Sequence, residues 1–240
     1  MDAWQYDTSP DLDQSLTERL RTFPREPDLL IYSLRSFAAI GIRSWLKIYH
    51  RLQVTGHENL PSEGSYVLVA NHASHLDALT LAASLPLKKL HRAFPAAAED
   101  YFFKSMPRTF LAAVITNALP FNREVGFRQS IKLCHGLLEN EGNILFLFPE
   151  GTRSVSGELG DFKPGIGMLL AGVNVPVLPC YLCGAHAAWP KGAWLPRPRK
   201  LHLRIGAARR YDTLKPGKQA ALTISRELHD AVRELGENPQ

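Results

Sequence analysis

Apolar and polar residues fall in blocks of two kinds along this chain. Short runs rich in apolar and β-branched residues read as strands: Ser65 to Ala70, His91 to Ala98, Ala112 to Phe121, Asn143 to Phe148, Val175 to Leu182 and Lys200 to Gly206. Between them lie stretches with helical composition or spacing. These are Leu76 to Leu85, a short segment from Asp100 to Phe110, Gly126 to Asn140 with Ile131, Leu133, Leu137 and Leu138, one starting at about Lys163 to Pro164, and Gly217 to Gly236. Strands alternating with helices predict an α/β fold with a largely parallel central sheet flanked by helices. Such sheets carry their functional loops at the carboxyl ends of the strands.

The first strong helical pattern, Leu29 to His50, is amphipathic. At about 100° per residue, Arg35, Arg43 and Lys47 fall within about 120° of one another, and Leu30, Leu34, Phe37, Gly41, Trp45 and Ile48 group on the other side. Asp28, after Pro27, suits an N-cap. The cations interrupt the run well short of the roughly 18 to 20 apolar residues a spanning helix needs. Two readings stay open. The helix lies in a membrane interface with its cations on anionic headgroups, or it packs its apolar side on the core. The 27 residues before it are polar, with turn formers, and read as a loosely attached arm. Acidic residues near the start and no apolar run behind them argue against a signal peptide. Residues 28–240 then form a single domain.

Composition narrows the partners. The net charge of +5 suits phosphate in nucleic acid, lipid or a metabolite. No RNP-like aromatic motif, zinc-finger spacing or long basic run is present, so nucleic acid is set aside. Three cysteines, Cys134, Cys180 and Cys183, are too few for a disulfide scaffold and read as buried thiols in a reducing compartment. No metal site is expected.

Chemistry gathers in three loops that follow strands. The first, Asn71 to Asp77, offers His72 with Asp77 five residues on. The second offers Arg123 and Glu124, and the third, Phe148 to Ser154, offers Glu150 and Arg153 around the Gly151 turn. An aspartate on one imidazole nitrogen fixes the tautomer and leaves the other nitrogen as a base, which is triad logic without a resident serine. A substrate hydroxyl would take the serine's place, since an alcohol must lose its proton as it attacks. His75 reads as a structural or rim residue. Arginines at 123 and 153 suit a phosphate or carboxylate, or else pair with Glu124 and Glu150. Glu150 either bonds acceptor hydroxyls or holds an arginine.

These residues resemble the glycerophospholipid acyltransferases that include 1-acyl-glycerol-3-phosphate acyltransferase. Asn71, His72 and Asp77 match the pattern N-H-x4-D; Phe121 to Arg123 match a second motif; Phe148 to Ser154 read F-P-E-G-T-R-S; Val175 to Pro179 look like a fourth motif with a central proline. The order and spacing agree over about residues 55–206. The resemblance implies a fold like that of glycerol-3-phosphate acyltransferase and transfer of a fatty-acyl group from acyl-CoA or acyl-carrier protein to lysophosphatidate. It implies His72 as base, Asp77 as its partner, and Arg123, Glu150, Gly151, Thr152 and Arg153 around the acceptor, with Lys163 a lesser candidate. It implies no cofactor, no metal and no covalent acyl-enzyme; the lack of a clear spanning helix, unlike many members, makes the expected attachment peripheral, on the cytoplasmic face of a bacterial inner membrane. The second motif departs, reading FNRE where F-x-D-R is usual. The alternatives are the same chemistry on lyso-ornithine lipid or another lysophospholipid, a non-catalytic lipid-binding protein, and a thioesterase. No G-x-S-x-G elbow supports the last. The segment Trp189 to Lys200, rich in aromatic, proline and basic residues, either meets lipid or is a solvated loop.

Overall fold

A computed structural model describes residues 29–98, 117–121 and 127–237. The polar arm and the expected short helix at 100–110 lie outside these residues. Seven strands form one sheet: β1 Gln53–Thr55, β2 Tyr66–Ala70, β3 Ala93–Ala98, β4 Leu119–Phe121, β5 Ile144–Leu147, β6 Val177–Cys183 and β7 His202–Ile205. Their order is β1-β7-β6-β2-β5-β3-β4. The five strands from β6 to β4 run parallel, while β7 is antiparallel to β6 and β1 parallel to β7. The largely parallel sheet is therefore as expected. β1 and the reversal at β7 were not.

The central strand β2 is buried at all five positions, as the middle of a covered parallel sheet must be. Its side chains alternate between two cores. Tyr66, Leu68 and Ala70 join Phe146, Leu178 and Leu182 on one face, and Val67 and Val69 join Leu145 and Val177 on the other. Burying a large apolar side chain stabilises the fold by about 1.5–3 kcal/mol, so these paired faces hold the strand ends rigidly. Helices α1 Leu29–Ile48 and α2 Asp77–Ser84 cover the first face through Leu46, Leu76, Leu81 and Leu85. Helices α3 Phe127–Glu139, α4 Gly165–Leu170 and α6 Lys218–Glu237 cover the second through Leu137, Leu138, Leu169, Ile224, Leu228 and Val232. A four-residue helix, α5 Ala185–Ala188, follows β6.

Helix α1 forms where expected, and of its two readings the structure does not bear out the one that packs the apolar side on the core. Its predicted apolar side points outward, with Phe37 75% exposed and Leu34 and Ile48 also exposed, joined by Ile40; among the described residues of that side Trp45 turns toward the core. Its cations do not make a headgroup face. Arg35 is buried, and burial holds its guanidinium down to about 10. Arg43 donates to the carbonyls of Ala82 and Leu85 at the end of α2, where a cation complements the helix dipole. Lys47 alone of the three stays exposed. His91 pins the other end of the helix, stacking on Tyr32 at 4.2 Å and meeting Ser36 Oγ at 3.3 Å. Among the described residues, no helix is long and apolar enough to cross a membrane.

Candidate active site

The parallel run of β2, β4 and β5 brings their carboxyl ends to one edge of the sheet, and the site is built there. Asn71 follows β2 and is buried. Its side chain accepts from the Leu182 N–H at 2.7 Å and donates to the Leu182 carbonyl at 3.2 Å, so it extends the β2–β6 ladder by one rung. This fixes where the next residue starts. His72 then leaves the sheet with its backbone held on both sides: its N–H donates to Glu150 Oε1 at 2.6 Å and its carbonyl accepts from the Ser154 N–H at 2.7 Å.

The His72 ring is held with equal care. One face stacks on Phe148 at 4.3 Å between centroids, 20° from parallel. Nδ1 donates to Asp77 Oδ2 at 2.7 Å. Asp77 opens α2 and is only 1% exposed, and the same Oδ2 also accepts from the N–H groups of Ala73 and Ser74 at 2.8 Å each. Three donors on one oxygen lock the carboxylate, and the carboxylate locks the tautomer. Nε2 is thereby the unprotonated nitrogen. His72 is 23% exposed, and its Nε2 meets no partner among the described residues.

Glu150 does something neither sequence option foresaw. It holds backbone: Oε1 takes the His72 N–H, and Oε2 takes the Gly160 N–H at 3.1 Å. It thus ties the first loop, its own loop and the segment before α4 together. Burial pushes its carboxyl up, and the two backbone donors oppose that rise. Gly151 next to it adopts φ +78°, and a Cβ there would meet the end of the Lys163 side chain at 2.9 Å. Lys163 is exposed and lies over this turn. Thr152 is exposed. Arg153 Nη1 sits against the His75 ring nitrogens at 2.7 and 2.5 Å. His75 in turn is held down to about 4, first by burial and then by Arg153, so the ring is neutral and accepts from the guanidinium. Arg123 lies outside the described residues. The site therefore brings together His72, Asp77, Glu150, Gly151, Arg153 and Lys163. Asn71 and Phe148 were quoted as motif letters without a role, and nothing in the sequence pointed to Gly160.

A fixed tautomer with an outward nitrogen is a general base for a substrate hydroxyl. The family model described as Acyltransferase matches residues 51–183, more than half of the chain. The chain belongs to the acyltransferase family. Among the relatives of this acyltransferase is a chloroplastic 1-acyl-sn-glycerol-3-phosphate acyltransferase of Brassica napus, 31% identical over 66% of this chain and 46% of its own. Another, from Arabidopsis thaliana, is 32% identical over 66% of this chain and 44% of its own. The chain thus spans about half the length of these curated relatives. The solved structure of the 1-acyl-sn-glycerophosphate acyltransferase PlsC from Thermotoga maritima superposes with a TM-score of 0.63 at 24% identity, covering 86% of this chain and 80% of that one. That likeness supports the acyltransferase fold. These curated plant relatives lend no support to the expected bacterial source.

Proposed function

We propose that this acyltransferase moves a fatty-acyl group from acyl-CoA or acyl-carrier protein to the free hydroxyl of lysophosphatidate. The observation that carries the reading is the Asp77–His72 pair, at 2.7 Å, with the second ring nitrogen left for a substrate. His72 Nε2 takes the hydroxyl proton as the oxygen attacks the thioester carbonyl. The new C–O bond forms, the C–S bond breaks, and the proton on Nε2 passes to the leaving thiolate. Positioned general bases contribute about 10²- to 10⁴-fold. Arg153 and Lys163, both beside the Gly151 turn, are assigned to the acceptor's phosphate; Arg123 is assigned there by resemblance alone. The names of the relatives support the same acceptor.

We also propose a membrane surface as the place of reaction, on its cytoplasmic face, and the apolar side of α1 supports the membrane contact. The outward Leu34, Phe37, Ile40 and Ile48 give α1 an apolar side with no protein beneath it among the described residues. A helix lying in the plane of the interface buries such a side to a depth of about 5–10 Å. The test is a panel of acceptors: lysophosphatidate, other lysophospholipids and lyso-ornithine lipid, each offered with labelled acyl-CoA or acyl-carrier protein in liposomes. Acylated lysophosphatidate as the main product is expected. Acylation of another acceptor alone would overturn the substrate assignment and leave the chemistry standing.

A further inference from the structure

The β6–β7 connection carries a surface that the reaction above leaves unused. From Phe162 to Tyr211 the sequence contains no Asp or Glu, while Lys191, Arg197, Arg199 and Lys200 crowd into one loop. All four are exposed, and none makes a side-chain hydrogen bond or ion pair among the described residues. In their midst stand Trp194, 87% exposed, and Leu195, 63% exposed. Adjacent in the chain and set among cations, the two form an exposed apolar tip of the kind that serves as a contact surface.

The loop is nevertheless firmly held. Trp189 Nε1 donates to the Ala193 carbonyl at 2.9 Å, and the Arg197 N–H donates to the Ala188 carbonyl at 2.7 Å, closing the loop on itself. Two further ties join it to the turn that follows α1: Tyr49 Oη donates to the Pro196 carbonyl, and His50 Nδ1 meets the Arg199 carbonyl at 3.2 Å. Ser74 Oγ and the His75 N–H both donate to the Trp189 carbonyl, which joins it to the catalytic loop. The loop follows the carboxyl end of β6, the same sheet edge as His72.

We infer that Trp189 to Lys200 is a second membrane contact, separate from the apolar side of α1, in which Trp194 and Leu195 enter the interface and Arg197, Arg199 and Lys200 bind anionic headgroups. The combination decides the partner. Cations alone would suit any acidic surface, but an exposed Trp-Leu pair flanked by unpaired cations suits a bilayer carrying negative lipid. The inference extends the proposal that the protein works at a membrane.

The test is co-sedimentation of the full chain with phosphatidylcholine vesicles and with vesicles containing phosphatidylglycerol. Three variants are compared: R197Q/R199Q/K200Q, W194A/L195A, and an α1 variant, F37S/I40S/I48S. The triple glutamine variant is expected to bind phosphatidylglycerol vesicles on the order of 100-fold more weakly, about fivefold for each cation near the surface. Its binding to phosphatidylcholine should stay near wild type. W194A/L195A should bind both vesicles about tenfold more weakly, with thermal unfolding unchanged. Loop variants within twofold of wild type, beside a weakened α1 variant, would overturn the second contact and leave the first. Weakened loop variants beside an unchanged α1 variant would do the reverse. Vesicle binding intact with impaired use of acyl-carrier protein would mark the loop as a protein-docking surface and also overturn it.

Discussion

The catalytic loops and helix α1 treat polar side chains in opposite company. Around His72, the polar groups are buried and satisfied: Asn71, Asp77 and Glu150 each accept from a backbone N–H, those of Asn71 and Glu150 from segments far off in the chain and that of Asp77 from its own loop. In α1 the cations go inward, Arg35 into burial and Arg43 onto the end of α2, while Phe37 and Ile48 go outward. A buried polar group costs free energy unless it is bonded, so the first region is rigid because its polar groups are satisfied. An exposed apolar group costs little to the isolated chain. In the second region the apolar groups are therefore free to serve contact with lipid. In the proposed account the first region supplies the chemistry and the second meets the membrane.

That division can be broken at several points. Asp77→Asn has the largest expected effect, since an amide NH2 facing Nδ1 favours the wrong tautomer and also faces the Ala73 and Ser74 N–H groups; kcat should fall by about 10³-fold, with a loss of about 1–3 kcal/mol in stability. Steady-state acyl transfer with calorimetry checks both halves. Glu150→Ala removes the acceptor for two backbone donors, and urea unfolding should show a loss of about 2–4 kcal/mol together with reduced activity. Phe37→Ser with Ile48→Ser should weaken binding to liposomes by about tenfold and leave the unfolding midpoint unmoved, since neither side chain is in the core.

The smallest effect is a slope. His75 is neutral in the fold down to about 4 but titrates near about 6.5 when unfolded. Within that window the unfolded chain binds a proton that the folded chain refuses, so stability falls as pH drops from about 6.5 toward 4. His75→Gln binds no such proton, and its melting temperature should fall less steeply across the same window. Equal slopes would show that another group dominates.

How far these regions were legible follows from the range of the interactions involved. The strands β2 and β5 and the helices α1 and α2 were readable because period and burial are local. The His72–Asp77 pair was readable because a five-residue spacing can close on itself. Glu150 was not, because its partners are a backbone N–H 78 residues away and another at Gly160. Side-chain identity says nothing of which backbone will arrive. Arg153 on His75 escaped for the same reason. The faces of α1 were grouped correctly on the wheel, but which of them faces in was left open. A wheel tells which residues share a side, but only the neighbouring α2, with its open carbonyls at Ala82 and Leu85, decides which side faces in. β1, three residues long with alternate exposure, carries too little pattern to detect.

The central claim is that His72 Nε2 takes the proton from a lysophosphatidate hydroxyl. Its most direct measurement is single-turnover transfer of a labelled acyl group to lysophosphatidate in liposomes, with wild type and His72→Ala side by side. The account predicts phosphatidate from the wild type and a rate at least about 10³-fold lower from the variant; phosphatidate formed by His72→Ala at the wild-type rate, or thioester consumed with no acylated lipid, would contradict it.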